Sequence, residues 1–154
     1  MAEPRVKVGV KMEVVDFFFP KEPLTIESGG FDDVDYYGRL ASVADVYRIL
    51  INGARNSRGV VVIPARNPLP ILEEFIRSSA QKYGIMYGTK DLMTAGLMIG
   101  SDINAMHRKM IESFSSPGNA QATIKRKGFD NPLIDTGFLA RSMFYSINGN
   151  GRYY

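Results

Sequence analysis

The residues with the most chemical promise lie near the C-terminal end, in the run Leu133-Ile134-Asp135-Thr136-Gly137. Two apolar residues followed by Asp-Thr-Gly mark the active-site loop of aspartic proteases, which pair two carboxylates that share one proton. One copy per chain would demand a homodimer to complete the pair. Two features argue against that chemistry. The position after the glycine, normally small, is Phe138, and only seventeen residues follow Gly137, too few for the flap and second half of such a fold. The preferred reading is a structural turn over Pro132, Asp135, Thr136 and Gly137. In it Asp135 caps backbone amides, Gly137 takes a conformation closed to other residues, and a strand follows.

Other chemistry is harder to build. The single histidine, His107, stands beside Arg108 with no nucleophile or acid at a telling spacing, and is expected at a surface or an interface. There is no cysteine, which excludes a disulfide framework, a thiolate zinc site, an iron–sulfur cluster and a cysteine nucleophile. The acidic groups Asp32-Asp33 with Asp35, and Glu73-Glu74, lack the twelve-residue grammar of a calcium loop and read as solvated faces. No metal or cofactor is expected, and no catalysis. Two basic clusters remain, Lys125-Arg126-Lys127 and the trio Arg55, Arg58 and Arg66. They could meet phosphates. Without interleaved aromatics or a helix-turn-helix pattern they support at most non-specific electrostatics, and the lysine-rich run reads as a solvated loop. Neither Gly128 nor Gly29-Gly30 sits in the strand–loop–helix setting of a phosphate cradle.

These residues must be carried by a chain of 154 residues, about one domain. Its 45% hydrophobic and 23% charged content is that of a folded globule, and its net charge of +3 leans only mildly basic. The most apolar stretches, 14–19 and 95–99, fall far short of the ~20 residues of a membrane span. The N-terminal residues have no signal-peptide core, so folding in a cytoplasm is expected.

Residues 5–15 alternate, with Val6, Val8, Val10, Met12 and Val14 on one face, and predict a half-buried strand. Pro20 and Pro23 break that pattern, and residues 27–40 read as an ordered or partner-dependent loop. Residues 42–51 alternate again with apolar residues on both sides and predict a strand inside a sheet or against another chain. Asn52-Gly53 and residues 56–59 supply turns, and a short strand over 60–63 completes a hairpin whose loop carries Arg55 and Arg58. Pro68 and Pro70 open a helix running to Gly84. A longer helix spans 90–114, with Leu92, Ala95, Ile99, Ile103, Met106, Met110 and Phe114 as its apolar stripe. A last strand carries Met143, Tyr145 and Ile147, and residues 149–154 end the chain in Tyr153 and Tyr154.

One pattern runs through the C-terminal third: Pro117-x-Asn119, then Thr123-Ile124-x-x-Lys127-Gly128, then Pro132-Leu133-Ile134-Asp135-Thr136-Gly137-x-Leu139-x-x-Ser142-Met143. It resembles the closing motif of the tail-completion, or neck, proteins of tailed bacteriophages. The likeness extends upstream to residues 43–53, to Ile63-Pro64-Ala65-Arg66, and to the long helix before Pro117, covering roughly residues 42–147. Residues 1–41 carry no match. The resemblance implies an α+β subunit with a mostly antiparallel sheet packed against one long and one shorter helix. It would be a single domain with a core over 42–147 and extended or partner-ordered arms over 16–41 and 148–154. It further implies a homo-oligomeric ring of about six or twelve copies at the head–tail junction of the virion, assembled in the host cytoplasm. Such a ring joins the adjacent connector or collar to tail-tube or tail-terminator proteins and leaves a channel for genomic DNA, with no membrane involved. Arg55, Arg58, Arg66, Lys125, Arg126, Lys127, Tyr153 and Tyr154 are the candidates for interface or channel contacts. A basic nucleic-acid-associated module is the alternative.

Overall fold

The computed structural model of the chain describes residues 5–8, 13–18, 23–30, 41–87, 90–130 and 137–154. The fold is α+β. A five-stranded antiparallel sheet has the order β1-β2-β3-β6-β7, formed by Arg5–Val8, Glu13–Phe18, Pro23–Gly29, Phe144–Ile147 and Asn150–Tyr153. A separate two-stranded ribbon joins β4 (Ala54–Arg55) to β5 (Val61–Ile63). The helices are α1 (Val43–Asn52), α2 (Leu69–Tyr87), α3 (Leu92–Ser113), α4 (Gln121–Lys127) and α5 (Phe138–Arg141). None of the described helices is long and apolar enough to cross a membrane.

Several expectations are corrected. The single strand over 5–15 is instead two strands paired antiparallel, with residues 9–12 outside the described part. Pro23 begins a strand rather than ending order, since a first residue need not donate to the ladder. Within the stretch expected as an extended or partner-ordered arm, β3 is the central strand of the sheet, with Leu24 and Ile26 fully buried. The expected loop over 27–40 is therefore strand as far as Gly29, and residues 31–40 lie outside the described part. The expected strand over 42–51 is helix α1. Its buried residues Val43, Tyr47 and Ile51 are four apart, and Ser42 with Asp45 forms a capping box at its start. The C-terminal arm is also strand: β7 pairs with β6 inside the same chain.

The two long helices stand where the periodicity put them. Asn67 accepts a hydrogen bond from the Leu69 amide at 3.0 Å where α2 begins, and the helix runs three residues past Gly84. Asp91 caps α3, accepting from the Thr94 amide at 2.9 Å and the Thr94 hydroxyl at 2.6 Å. Helix α3 packs on β3 and β6, and α2 packs on α3 and reaches β1 and β2. Close approach of α3 to the sheet depends on two glycines one turn apart. A Cβ on Gly96 would stand 2.9 Å from Ile147, and one on Gly100 would collide with the Tyr145 ring. The Tyr145 hydroxyl then reaches the Leu97 carbonyl at 3.1 Å.

Two apolar clusters result. One joins Leu24 and Ile26 of β3 to Leu72 and Ile76 of α2, Ile99 and Ile103 of α3, and Tyr145 and Ile147 of β6. The other gathers Val43, Tyr47 and Ile51 of α1 with Leu69, Ile111, Leu139 and Met143. Each fully buried Leu or Ile contributes about 1.5–3 kcal/mol relative to exposure.

Candidate functional site

The β4–β5 hairpin is the most unusual surface. Its loop is held by Asn56, whose side-chain oxygen accepts from the amides of Arg58 and Val60 at 2.9 and 3.1 Å. Arg55, expected in the loop, is instead the last residue of strand β4, and its guanidinium donates to the Gly59 carbonyl at 2.8 Å. Arg58 is exposed at the tip. Val60, Val61 and Val62 are 57%, 47% and 57% exposed. Successive strand residues point to opposite faces, so this ribbon presents valine to water on both sides. Among the described residues β5 pairs with β4 alone, leaving its other edge open.

Arg66, expected with the exposed basic trio, is buried at 6% exposure. Its Nε donates to the Pro117 carbonyl at 3.1 Å and its Nη2 to the Gly118 carbonyl at 3.0 Å. Burial lowers its pKa while the nearby Asp130 carboxylate opposes the shift. Asp130 in turn accepts from the Asn119 amide at 2.9 Å. Arg66 is thus an internal brace, and it ties Ile63–Arg66 to the Pro117-x-Asn119 element fifty residues away.

The run Lys125-Arg126-Lys127 is the last turn of helix α4, not a loop, and Gly128 closes the helix in a left-handed conformation. Three cations there face the negative end of the helix dipole. No residue of α4 is buried. Lys127 Nζ lies 4.8 Å over the Phe129 ring.

Of the turn motif, Pro132, Asp135 and Thr136 lie outside the described residues. Gly137 has φ +79° and ψ 2°, the left-handed region, as expected, but it leads into the short helix α5 before β6. The terminal tyrosines are engaged within the chain. Tyr153 packs on Tyr145 with ring centroids 5.3 Å apart, and Tyr154 meets Phe144 edge-on while the Arg108 guanidinium lies 3.3 Å over its ring.

His107 is not at a surface. It is fully buried between the two apolar clusters, with Tyr47 Oη 2.7 Å from Nε2 and Ser28 Oγ 3.4 Å from Nδ1. The Ser28 hydroxyl donates to Asn104 Oδ1 at 3.0 Å, and Asn104 Nδ2 donates to the Met143 carbonyl at 3.2 Å. The directions close consistently when Nδ1 carries the proton: Tyr47 donates to His107, His107 to Ser28, Ser28 to Asn104 and Asn104 to the backbone. Burial, helped by the Arg108 charge, pushes the imidazole pKa down to about 4, so it is neutral. A serine beside a histidine invites a nucleophilic reading, but both side chains are sealed from solvent and their bonds serve each other. The cluster clamps α1, α3, β3 and Met143, just before β6, together. Sequence spacing could not reveal it, because its members come from four separated segments.

Among the described residues no three acidic or histidine side chains gather to hold a metal ion. An open cleft of about 330 Å³ lies between α2 and α3, lined by Ile71, Met106, Met110 and Phe114 together with Lys109 and the serines at 113, 115 and 116. In comparison with known proteins, the chain matches no family model, no curated protein and no solved structure.

Proposed function

We propose that this chain is a structural virion protein of a tailed phage, a subunit of a homo-oligomeric ring at the head–tail junction whose work is done by interfaces and not by a chemical step. The observation that carries the proposal is the hairpin. Three consecutive exposed valines, two of them on opposite faces of an open-edged strand, are an aggregation hazard for a solitary protein and a contact surface for a subunit that neighbours cover. The resemblance to neck proteins supplies the particular assembly. Two segments that carry it, 63–66 and 117–119, pack as one unit through Arg66. The ring's other neighbours would be connector or collar and tail-tube or tail-terminator proteins, and DNA would pass through non-specifically.

The test is the native mass of the purified protein, together with antibody labelling of assembled particles. A closed ring of about six or twelve copies, with label at the neck, is the expected result. A monomer at every concentration, absent from particles, overturns the proposal. The exposed basic end of α4 favours one second reading, a nucleic-acid-associated module. Salt-dependent DNA retention by the isolated monomer would favour that reading, and failure to bind at low salt would remove it.

A further inference from the structure

We infer that neighbouring copies join head to tail, the β4–β5 hairpin of one entering the α2–α3 cleft of the next. This rests on the self-assembly reading above and adds to it the receiving surface and the contact's symmetry. The hairpin is a protrusion apolar on both faces, which a flat partner surface would cover on one side only. A cleft encloses more of such a protrusion than a flat surface does. The cleft between α2 and α3 is open, of ligand-pocket size, and walled mainly by apolar side chains, with Ile71 at its mouth 56% exposed. The valines of the same copy remain exposed, so the hairpin does not occupy its own cleft.

Charge agrees with this pairing. Arg58 at the hairpin tip and Glu74, one helical turn beyond Ile71, are both exposed, and neither has an ion pair among the described residues. Lys109 lines the cleft from α3 and repels an arginine, which turns the tip to the α2 side. A protrusion and a receptor on different parts of one chain make a heterologous contact, which generates rings when the rotation closes.

The absence of cysteine makes the test clean. Val62→Cys and Ile71→Cys both lie at exposed positions, where folding tolerates them. On oxidation the double variant should give a ladder of disulfide-linked multimers, and neither single variant should cross-link. Dimers from Val62→Cys alone would mean hairpin-to-hairpin pairing and would overturn the inference. An assembly that forms but gives no ladder would also overturn it while leaving the ring intact. A chain monomeric at all concentrations would remove both readings. As a second measurement, Val62→Asp and Ile71→Glu should each weaken self-association by at least about tenfold. Mixed together they should form a heterodimer and nothing larger, because only one competent hairpin and one competent cleft can meet. A mixture that stays monomeric counts against the head-to-tail contact.

Discussion

A proton added to His107 has no favourable place to put its charge. Its described partners are the hydroxyls of Tyr47 and Ser28, with the Arg108 guanidinium nearby and no carboxylate bonded to the ring among the described residues. The folded-state pKa of about 4 lies below the ordinary value of 6.5, so the unfolded chain takes the proton first. Stability is therefore complete above about pH 6.5 and declines as pH falls towards 4. The loss attributable to His107 is about 2 kcal/mol between pH 6.5 and 5. The check is a pair of urea unfolding curves at pH 7 and pH 5 for the native chain and for His107→Gln. The variant should lack this part of the pH dependence. Equal pH slopes in the two proteins would mean that the buried imidazole does not govern acid sensitivity. This residue also marks a limit of sequence reading. An isolated histidine beside an arginine looks solvated, and only the meeting of α1, α3 and β3 makes it a clamp.

The same limit applies to α1. Ten residues rich in Val, Ile and Leu satisfy an alternating pattern and a four-residue spacing at once, so periodicity over 43–52 cannot decide. What decides is the start: the Ser42 hydroxyl accepts the Asp45 amide at 3.0 Å and Asp45 accepts the Ser42 amide at 3.2 Å. Arg48 adds an ion pair to Asp45 at 2.7 Å. Ser42→Ala should cost about 1 kcal/mol, read as a lower denaturation midpoint with unchanged slope and faster amide exchange over 43–52. A strand there would be indifferent to the change. Longer elements were legible because length resolves the ambiguity. The stripe from Ala95 to Met110 repeats over a 22-residue helix, and no alternating pattern fits it. β3 and β7 were hidden by composition. Proline opens one and Gly and Asn fill the other, so pairing partners and not propensity make them strands. The short valine strand with its turn was readable, whereas the cleft could not be, since its walls come from two helices and the segment after α3.

For the whole molecule, the deciding quantity is how charge would add up in the proposed assembly. One chain carries only +3, a weak attraction for a polyanion, and Arg66 is enclosed and takes no part in it. Lys125 and Arg126, exposed at the end of α4, are repeated in every copy. If assembly arrays these ends around one lumen, the field at its axis grows with copy number while each monomer stays a poor binder. The assembled protein should then elute from immobilised duplex DNA at higher salt than the Val62→Asp monomer. In the assembly, the triple change Lys125→Gln, Arg126→Gln, Lys127→Gln should flatten the dependence of log affinity on log salt. The change is about 2.7 for each copy whose helix end touches phosphate. Arg66→Gln should leave that dependence unaltered and lower the stability instead, because its bonds run to the Pro117 and Gly118 carbonyls. Equal retention of monomer and assembly would locate the affinity in the single chain, and the nucleic-acid module would then displace the ring as the better account. Retention that requires assembly ties the basic helix end to a shared channel, because only a closed array converts so small a charge per chain into a field that passing DNA would feel.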